Sequence, residues 1–161
     1  MLSMQAHCPT PPTQRQRQLG VAAVEFALLV TLLVTLLLAA SEFGRAMYQY
    51  NTVVKGARSA ARYLSQYPPG DATTIAVAMN LVVYGDSTNT GSVLVPGLTT
   101  ALVAVCDASN CAANKRQTTG QSYVNLVTVT ITGLQFQSLA PWLLANFTFA
   151  PISATMTQGI G

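Results

Sequence analysis

The feature that most constrains this chain is an apolar run at residues 21–40, VAAVEFALLVTLLVTLLLAA, which contains one charged residue, Glu25. Twenty residues of α-helix rise about 30 Å, which is the hydrocarbon thickness of a bilayer. Thr31 and Thr35 are compatible with lipid because a threonine hydroxyl can donate to a carbonyl in the preceding helical turn. The run therefore predicts a transmembrane helix.

A cleaved secretory signal peptide is the main alternative for this run. Arg15 and Arg17 would supply its basic region, and Ala39-Ala40-Ser41 offers small residues that suit signal peptidase. However, the run is longer than the usual apolar region of roughly 7–15 residues, and an acidic residue inside it is unfavourable. A buried core helix is less favoured still, because nothing else in the chain is large enough to cover it.

Charged residues are sparse and scattered. They make up 8% of the chain, against roughly 25% in an ordinary soluble domain, and the net charge is +3. A nucleic-acid binder needs a denser basic face, so we predict no nucleic-acid partner. Charge counting leaves the membrane orientation open, since Arg15 and Arg17 precede the run while Arg45, Lys55 and Arg58 follow it.

The chain has room for a membrane segment and one small domain, and we predict three parts. Residues 1–20, with three prolines and no apolar periodicity, are predicted to form a disordered cytoplasmic leader. Residues 21–41 are predicted to form the transmembrane helix, and residues 42–161 an exported, periplasmic domain.

Helical periodicity continues past the membrane segment. Apolar residues recur there at steps of three and four, which predicts one narrow, alanine-rich stripe: Ala46, Tyr50, Val53, Val54, Ala57, Ala60, Ala61 and Leu64. Pro68-Pro69-Gly70 ends this pattern. We therefore predict one long helix over residues 21–66, of which residues 42–66 form a helical extension of the exported domain.

The remaining residues predict a second helix and then strands. Asp71 is a suitable N-cap for a helix over residues 72–84, and residues 85–92 have the composition of a loop. Alternating or continuous apolar patterns predict strands at residues 102–106, 127–131 and 152–157, with a helical turn or apolar loop at 141–144. The fold class is α+β: a long transmembrane and amphipathic helix, a small helix, and a short antiparallel sheet.

One group of residues near the start of the apolar run resembles a known family. A basic leader ends in Gly20, a long apolar helix follows, and Glu25 stands five residues after the glycine with Phe26 beside it. This pattern resembles the processing site of type IV pilins and pseudopilins, which a membrane-bound aspartyl prepilin peptidase cuts after the glycine. The segment AAVEFALL, followed by SEFGR and by ARSAAR at residues 57–62, resembles more narrowly the TadE-like proteins.

TadE-like proteins are pseudopilins of tight-adherence (Flp-type) pilus systems. The resemblance covers about residues 20–62, with a looser match to the ISATMT strand, and leaves residues 70–140 unspecified. Such proteins often carry a proline near Thr31, whereas this chain has none, so a kink at that point is not implied.

The resemblance implies a role and a set of partners. The chain would be a pilin-like pseudopilin or minor pilin, single-pass in the bacterial inner membrane and processed between Gly20 and Val21. Its partners would be the lipid bilayer, the prepilin peptidase, the pilus assembly platform with its ATPase, the major pilin and sister pseudopilins.

Glu25 and Phe26 would act in assembly and helix register. An acidic side chain at mid-membrane costs roughly 2.5–3.5 kcal/mol on insertion scales, and less near the helix end. After cleavage, the new ammonium of Val21 would lie within one helical turn of Glu25, on the same chain or a neighbour, and would offset this cost. In the alternative, Glu25 reaches the headgroups and has no role in assembly.

Cys106 and Cys111 enclose four polar residues and suit a disulfide in an oxidising compartment, with two reduced thiols as the alternative. A zinc site is not predicted because it needs four ligands, and the other candidates, His7 and Cys8, lie in the leader. Removal of the leader would remove Cys8 and leave two cysteines, which is consistent with export of the domain.

Four basic residues form a possible docking face for acidic partners: Arg45, Lys55, Arg58 and Arg62. In the simpler interpretation they are a solvated helix face, with Arg45 meeting Glu42 or lipid headgroups.

We predict no enzyme, cofactor, metal or small-molecule substrate. The only histidine is in the leader, so the exported domain cannot form a Ser-His or Cys-His pair, and no phosphate-binding glycine motif is present. Two other functions remain open: a membrane-anchored binding protein unrelated to pili, or a secreted domain released by signal peptidase.

Overall fold

A computed structural model describes residues 14–117 and 123–158. The chain divides into two compact units, Met1–Ser41 and Glu42–Gly161, which are considered separately below. The first helix, α1, begins at Gln14 in the first unit and ends at Leu64 in the second. Most of the predicted leader, residues 1–13, lies outside the described residues.

In the first unit, the helix starts earlier than the sequence pattern predicted. The prediction of disorder is wrong for residues 14–20, because α1 begins at Gln14 rather than at residue 21. Glutamine, arginine and leucine are good helix formers, and the last proline of the leader, Pro12, stands just before this start. The hydroxyls of Thr31 and Thr35 donate to the carbonyls of Ala27 and Thr31 at 2.8 Å, the pairing predicted for threonines in lipid.

The second unit begins with the end of α1. The helix ends at Leu64, two residues before the predicted end. The carbonyls at a helix end lack intrahelical partners. The side-chain amide of Gln158 donates to the carbonyl of Leu64, the last residue of the helix, and to that of Tyr67 in the turn that follows, at 3.3 and 2.8 Å. The last strand of the chain thus holds the end of the long helix.

The second helix, α2, is confirmed at Ala72–Tyr84. The predicted N-cap, Asp71, accepts a hydrogen bond from the Thr73 N–H at 3.0 Å, and Gly85 closes the other end in the left-handed conformation at φ 73°. The helix passes close to α1, since a Cβ added to Gly56 would lie 3.2 Å from the Val82 carbonyl oxygen.

The strands form two antiparallel sheets. In the part of the chain that the structure describes, two 3₁₀ turns and six strands follow α2 in this order: 3₁₀ Thr100–Leu102, β1 Val103–Cys106, 3₁₀ Ala112–Asn114, β2 Lys115–Gln117, β3 Tyr123–Ile131, β4 Gln135–Phe136, β5 Phe147–Thr148 and β6 Ile152–Gln158. The long strand β3 pairs with β1, β2 and β6, so that Val129 lies opposite both Val105 and Ala154. Strands β4 and β5 pair with each other in a separate two-stranded sheet.

The three predicted strands and the α+β class are confirmed, whereas β2 and the β4–β5 pair were not predicted. These elements are two or three residues long, too short to show an alternating pattern. The segment Pro141–Leu144 is a turn in the loop between β4 and β5.

The apolar stripe of α1 forms one wall of the core. Ala57, Ala60 and Ala61 are completely buried, because small side chains let the helix backbone approach its neighbours closely. Val53 and Leu64 are buried with them, whereas Tyr50, predicted in the same stripe, remains 36% exposed. The Tyr50 ring lies 6.0 Å from the ring of Phe149, beside an open groove described below.

The predicted disulfide is present between Cys106 and Cys111, where β1 ends. In the chain-entropy description, closing so short a loop stabilises the folded state by about 2 kcal/mol. The enclosed loop is also fixed by Asp107, whose carboxylate accepts hydrogen bonds from the N–H groups of Gly70 and Ser109 at 2.9 and 2.8 Å.

Candidate functional site

The predicted processing and register residues lie on one exposed stretch of α1 in the first unit. Gly20, Val21, Glu25 and Phe26 are all solvent-exposed, Val21 by 61% and Phe26 by 68%. A Cβ added to Gly20 would have no atom within 4 Å, so the backbone there is accessible. Val21 and Glu25 are four residues apart on the helix, which places them one turn apart on the same face.

This helix also meets the requirements of a membrane span. Within the described residues, α1 is the one helix long and apolar enough to cross a bilayer, over Gly20–Leu64. None of its most apolar window is buried in the structure, unlike the core helix of a soluble protein. Its length, composition and exposure are compatible with a single-pass membrane anchor.

In the second unit, a buried carboxylate joins the start of the unit to a distant loop. The side chain of Glu42 is buried, and its Oε2 accepts three hydrogen bonds. The donors are Arg45 Nη2 at 3.0 Å, the Ser138 hydroxyl at 2.9 Å and the Leu139 N–H at 3.2 Å. The sequence pattern predicts Glu42 only as a surface partner of Arg45, and nothing local in it indicates the contact with residues 138 and 139. We call Glu42 with its three donors the Glu42 latch.

Arg45 also binds the same loop directly. Its guanidinium donates to the Gln137 carbonyl at 2.6 Å and lies 4.7 Å from the ring centre of Phe136, which is fully buried. The Arg45 guanidinium is thus already bound by groups of the second unit. The other three residues of the predicted docking face, Lys55, Arg58 and Arg62, are exposed on α1.

The hydrogen bonds of the latch also set the acidity of Glu42. Burial alone would raise the pKa of this carboxyl, but the bonds from Ser138, Arg45 and the Leu139 N–H outweigh burial and lower the pKa below its usual value. Because the folded pKa lies below the unfolded one, Glu42 stabilises the fold above the unfolded pKa. This contribution is lost as pH falls through the folded pKa.

We expect Glu42→Gln to reduce the stability of the second unit at neutral pH, because the amide weakens the charge-assisted bonds. The difference in unfolding free energy between wild type and variant should shrink as the pH falls below 4.5, the reference pKa of a glutamate. Denaturant unfolding of the full chain in detergent, followed across this range, measures the difference. A difference that stays constant with pH would contradict the role assigned to Glu42.

An apolar groove lies next to the latch within the second unit. Its volume is about 420 Å³, and apolar and aromatic side chains line it: Phe43, Ala46, Met47, Tyr50, Leu144, Phe147 and Phe149. One wall is the first two turns of α1 after the unit boundary, and the other is formed by β5 and its neighbours.

The loop between β4 and β5, residues 137–146, is held at both ends; we call it the hairpin loop. Its first residues bind Glu42 and Arg45, and the Ser138 N–H also donates to Asn146 Oδ1 at 2.8 Å. Between these attachments, Leu139 and Trp142 are 79% and 73% exposed.

Among the described residues, no group of three or more histidine, cysteine, aspartate or glutamate side chains is placed to hold a metal ion. The only histidine, His7, and the third cysteine, Cys8, lie outside those residues. Asp71 takes the N-cap position that the sequence predicted for it, and Asp107 accepts hydrogen bonds within the turn that the disulfide closes.

No match to the chain was found among curated proteins or among solved structures. One family model matches, that of the TadE-like protein, over residues 20–62. The match begins at Gly20 and includes Glu25 and Phe26, which confirms the resemblance stated from the sequence, while residues 63–161 lie outside it. Residues 20–62 are therefore similar to the TadE-like family, a family of pilus-associated structural proteins.

Proposed function

We propose that this protein is a membrane-anchored pseudopilin or minor pilin that takes part in assembling a tight-adherence (Flp-type) pilus. The observation that carries the proposal is the family match, which starts at Gly20, directly before the exposed apolar run 21–40 with its one acidic residue, Glu25. A prepilin peptidase would mature the chain by cutting between Gly20 and Val21.

The position of Gly20 suits such a cut. A peptidase must open the helix at the bond it cleaves, and glycine is about 1 kcal/mol less favourable than alanine in a helix interior. Without a side chain, Gly20 also leaves the backbone accessible, since nothing lies within 4 Å of its missing Cβ. The bond after Gly20 is therefore easy to open and to reach.

Cleavage would then create a charged partner for Glu25. The new ammonium of Val21 lies one turn from the Glu25 carboxylate, and an opposite charge offsets part of the cost of holding a carboxylate in lipid. In an assembly, the amine of one chain and the carboxylate of a neighbour would pair only in a matching register. Glu25 would thereby position the helix among other pilin-like helices.

The same proposal places the chain in the bacterial inner membrane, with its N-terminus cytoplasmic and residues 42–161 periplasmic. The Cys106–Cys111 disulfide supports a periplasmic location for the second unit, because disulfides persist in oxidising compartments. The partners would be the lipid bilayer, the prepilin peptidase, the assembly platform and other pilins. Lys55, Arg58 and Arg62 would offer these partners an exposed basic surface.

Complementation of a strain that lacks the chain tests the role in assembly. Wild type should restore surface pili, counted by electron microscopy, whereas Glu25→Ala should reach the membrane without restoring them. Thr35→Ala is the matched control, because the Thr35 hydroxyl donates to the Thr31 carbonyl of its own helix, so this variant should restore pili. Normal pili in the strain without the chain, or with Glu25→Ala, would contradict the proposal.

A further inference from the structure

We propose that the hairpin loop, residues 137–146, lies in the headgroup layer of the bilayer that residues 21–41 cross. Leu139 and Trp142 would be its contacts with lipid. This inference rests on the membrane anchoring proposed above. It adds a second membrane contact, made by the exported unit itself.

The Glu42 latch holds the start of the hairpin loop next to the residue at which the chain leaves the membrane. Glu42 comes directly after Ser41, the last residue of the predicted span, so the two are joined by one peptide bond. The headgroup regions occupy roughly 5–8 Å on each side of a hydrocarbon core of about 30 Å, and the residue after the span falls within this layer. Because the Ser138 hydroxyl and the Leu139 N–H donate to Glu42, the start of the hairpin loop is held at the same level.

The composition of the loop suits this layer rather than water. Leu139 and Trp142 are 79% and 73% exposed, an unusual state for two large apolar side chains in one loop. No charged residue occurs after Arg116, so the loop carries no charged side chain that would have to be held near the acyl chains. Tryptophan is enriched at membrane–water interfaces because its indole has an apolar body and one N–H donor.

The apolar surface also continues from the loop onto the helix. Phe43, one residue beyond the latch carboxylate, is 65% exposed and lines the groove with Leu144 and Phe147. The exposed apolar side chains thus adjoin the residue at which the chain leaves the hydrocarbon core. This continuity with the span favours lipid as the occupant over a separate protein partner.

Trp142 is the only tryptophan of the chain, so its fluorescence reports on the loop without any substitution. The full chain would be placed, one copy per disc, in phosphatidylcholine nanodiscs that contain lipids with a quenching label near the headgroup or deep in the acyl chain. We expect a blue-shifted emission, stronger quenching by the shallow label than by the deep one, and protection from iodide in the water. Because each disc holds a single copy, contact with a second copy is excluded.

Two variants serve as controls, and each carries Trp142→Phe so that one new tryptophan reports alone. Leu32→Trp lies in the apolar run and should be quenched most by the deep label, as anchoring requires. Tyr67→Trp lies beyond the end of α1 and should be quenched by iodide but by neither lipid label. The pair therefore calibrates the lipid and water signals.

The outcomes separate this inference from the proposed anchoring. If Leu32→Trp is quenched by lipid while Trp142 is open to iodide, the anchor stands and the loop contact is wrong. If Trp142 is protected from iodide yet insensitive to both lipid labels, protein covers it and the loop contact is also wrong. If Leu32→Trp is not quenched by lipid, the anchoring itself fails.

Discussion

A Gly20→Leu variant is expected to accumulate as the uncleaved chain in cells that contain the prepilin peptidase, whereas wild type loses residues 1–20. The substitution should leave the fold intact, because a Cβ at Gly20 meets no atom within 4 Å. A loss of cleavage would therefore reflect the bond after residue 20 itself. Leucine also strengthens the helix by close to 1 kcal/mol relative to glycine, which opposes opening at the scissile bond. The mass of the purified membrane-bound chain measures the result.

Gly44→Leu is the matched control for this substitution. Gly44 lies on the same helix, and a Cβ there also has no atom within 4 Å. We expect this variant to be cleaved like wild type, since Gly44 is remote from the processing bond. Equal cleavage of all three chains would contradict the assignment of Gly20, and loss of cleavage in both variants would indicate a general effect of leucine on the helix.

Phe136→Ala is expected to lower the unfolding free energy of the second unit by about 3–5 kcal/mol. The Phe136 ring is fully buried, its centre lies 5.2 Å from that of Phe147, and the Arg45 guanidinium lies over it at 4.7 Å. Truncation therefore leaves a cavity and removes the surface on which Arg45 rests. Denaturant unfolding of the full chain in detergent, followed by Trp142 fluorescence, measures the loss.

The same truncation at Phe43 provides the control. Phe43 is 65% exposed, so Phe43→Ala should change the unfolding free energy by no more than about 0.5 kcal/mol. A similar small effect at both positions would mean that Phe136 does not support the hairpin loop. A large effect at both would mean that Phe43 is covered in the folded protein.

The long, regular elements were predictable from the sequence because their patterns are set locally. The alanine-rich stripe of α1 repeats over several turns, and Asp71 caps α2 through a bond two residues away. Strand β3 shows clear alternation of valine and threonine. The start of α1 differs from the prediction because good helix formers follow Pro12, and they extend the helix towards the prolines of the leader.

The short strands and the Glu42 latch were not predictable, since long-range contacts decide them. Strands β4 and β5 have two residues each and exist only as a pair across the hairpin loop. Ser138 lies 96 residues from Glu42 in the sequence, and nothing local marks either residue as a partner. The proposed processing site differs in this respect, because Gly20, Glu25 and Phe26 form a local pattern in the sequence.

The most direct test of the account is the N-terminal residue of the native protein, determined by mass spectrometry after detergent extraction from cell membranes. A peptidase-matured pseudopilin must begin at Val21 and must require detergent to stay in solution. A membrane protein that still carries residues 1–20 would instead be a plain single-pass anchor. A detergent-free soluble protein that begins near Ser41 would be a secreted domain, and either result would contradict the pilin-like function proposed here.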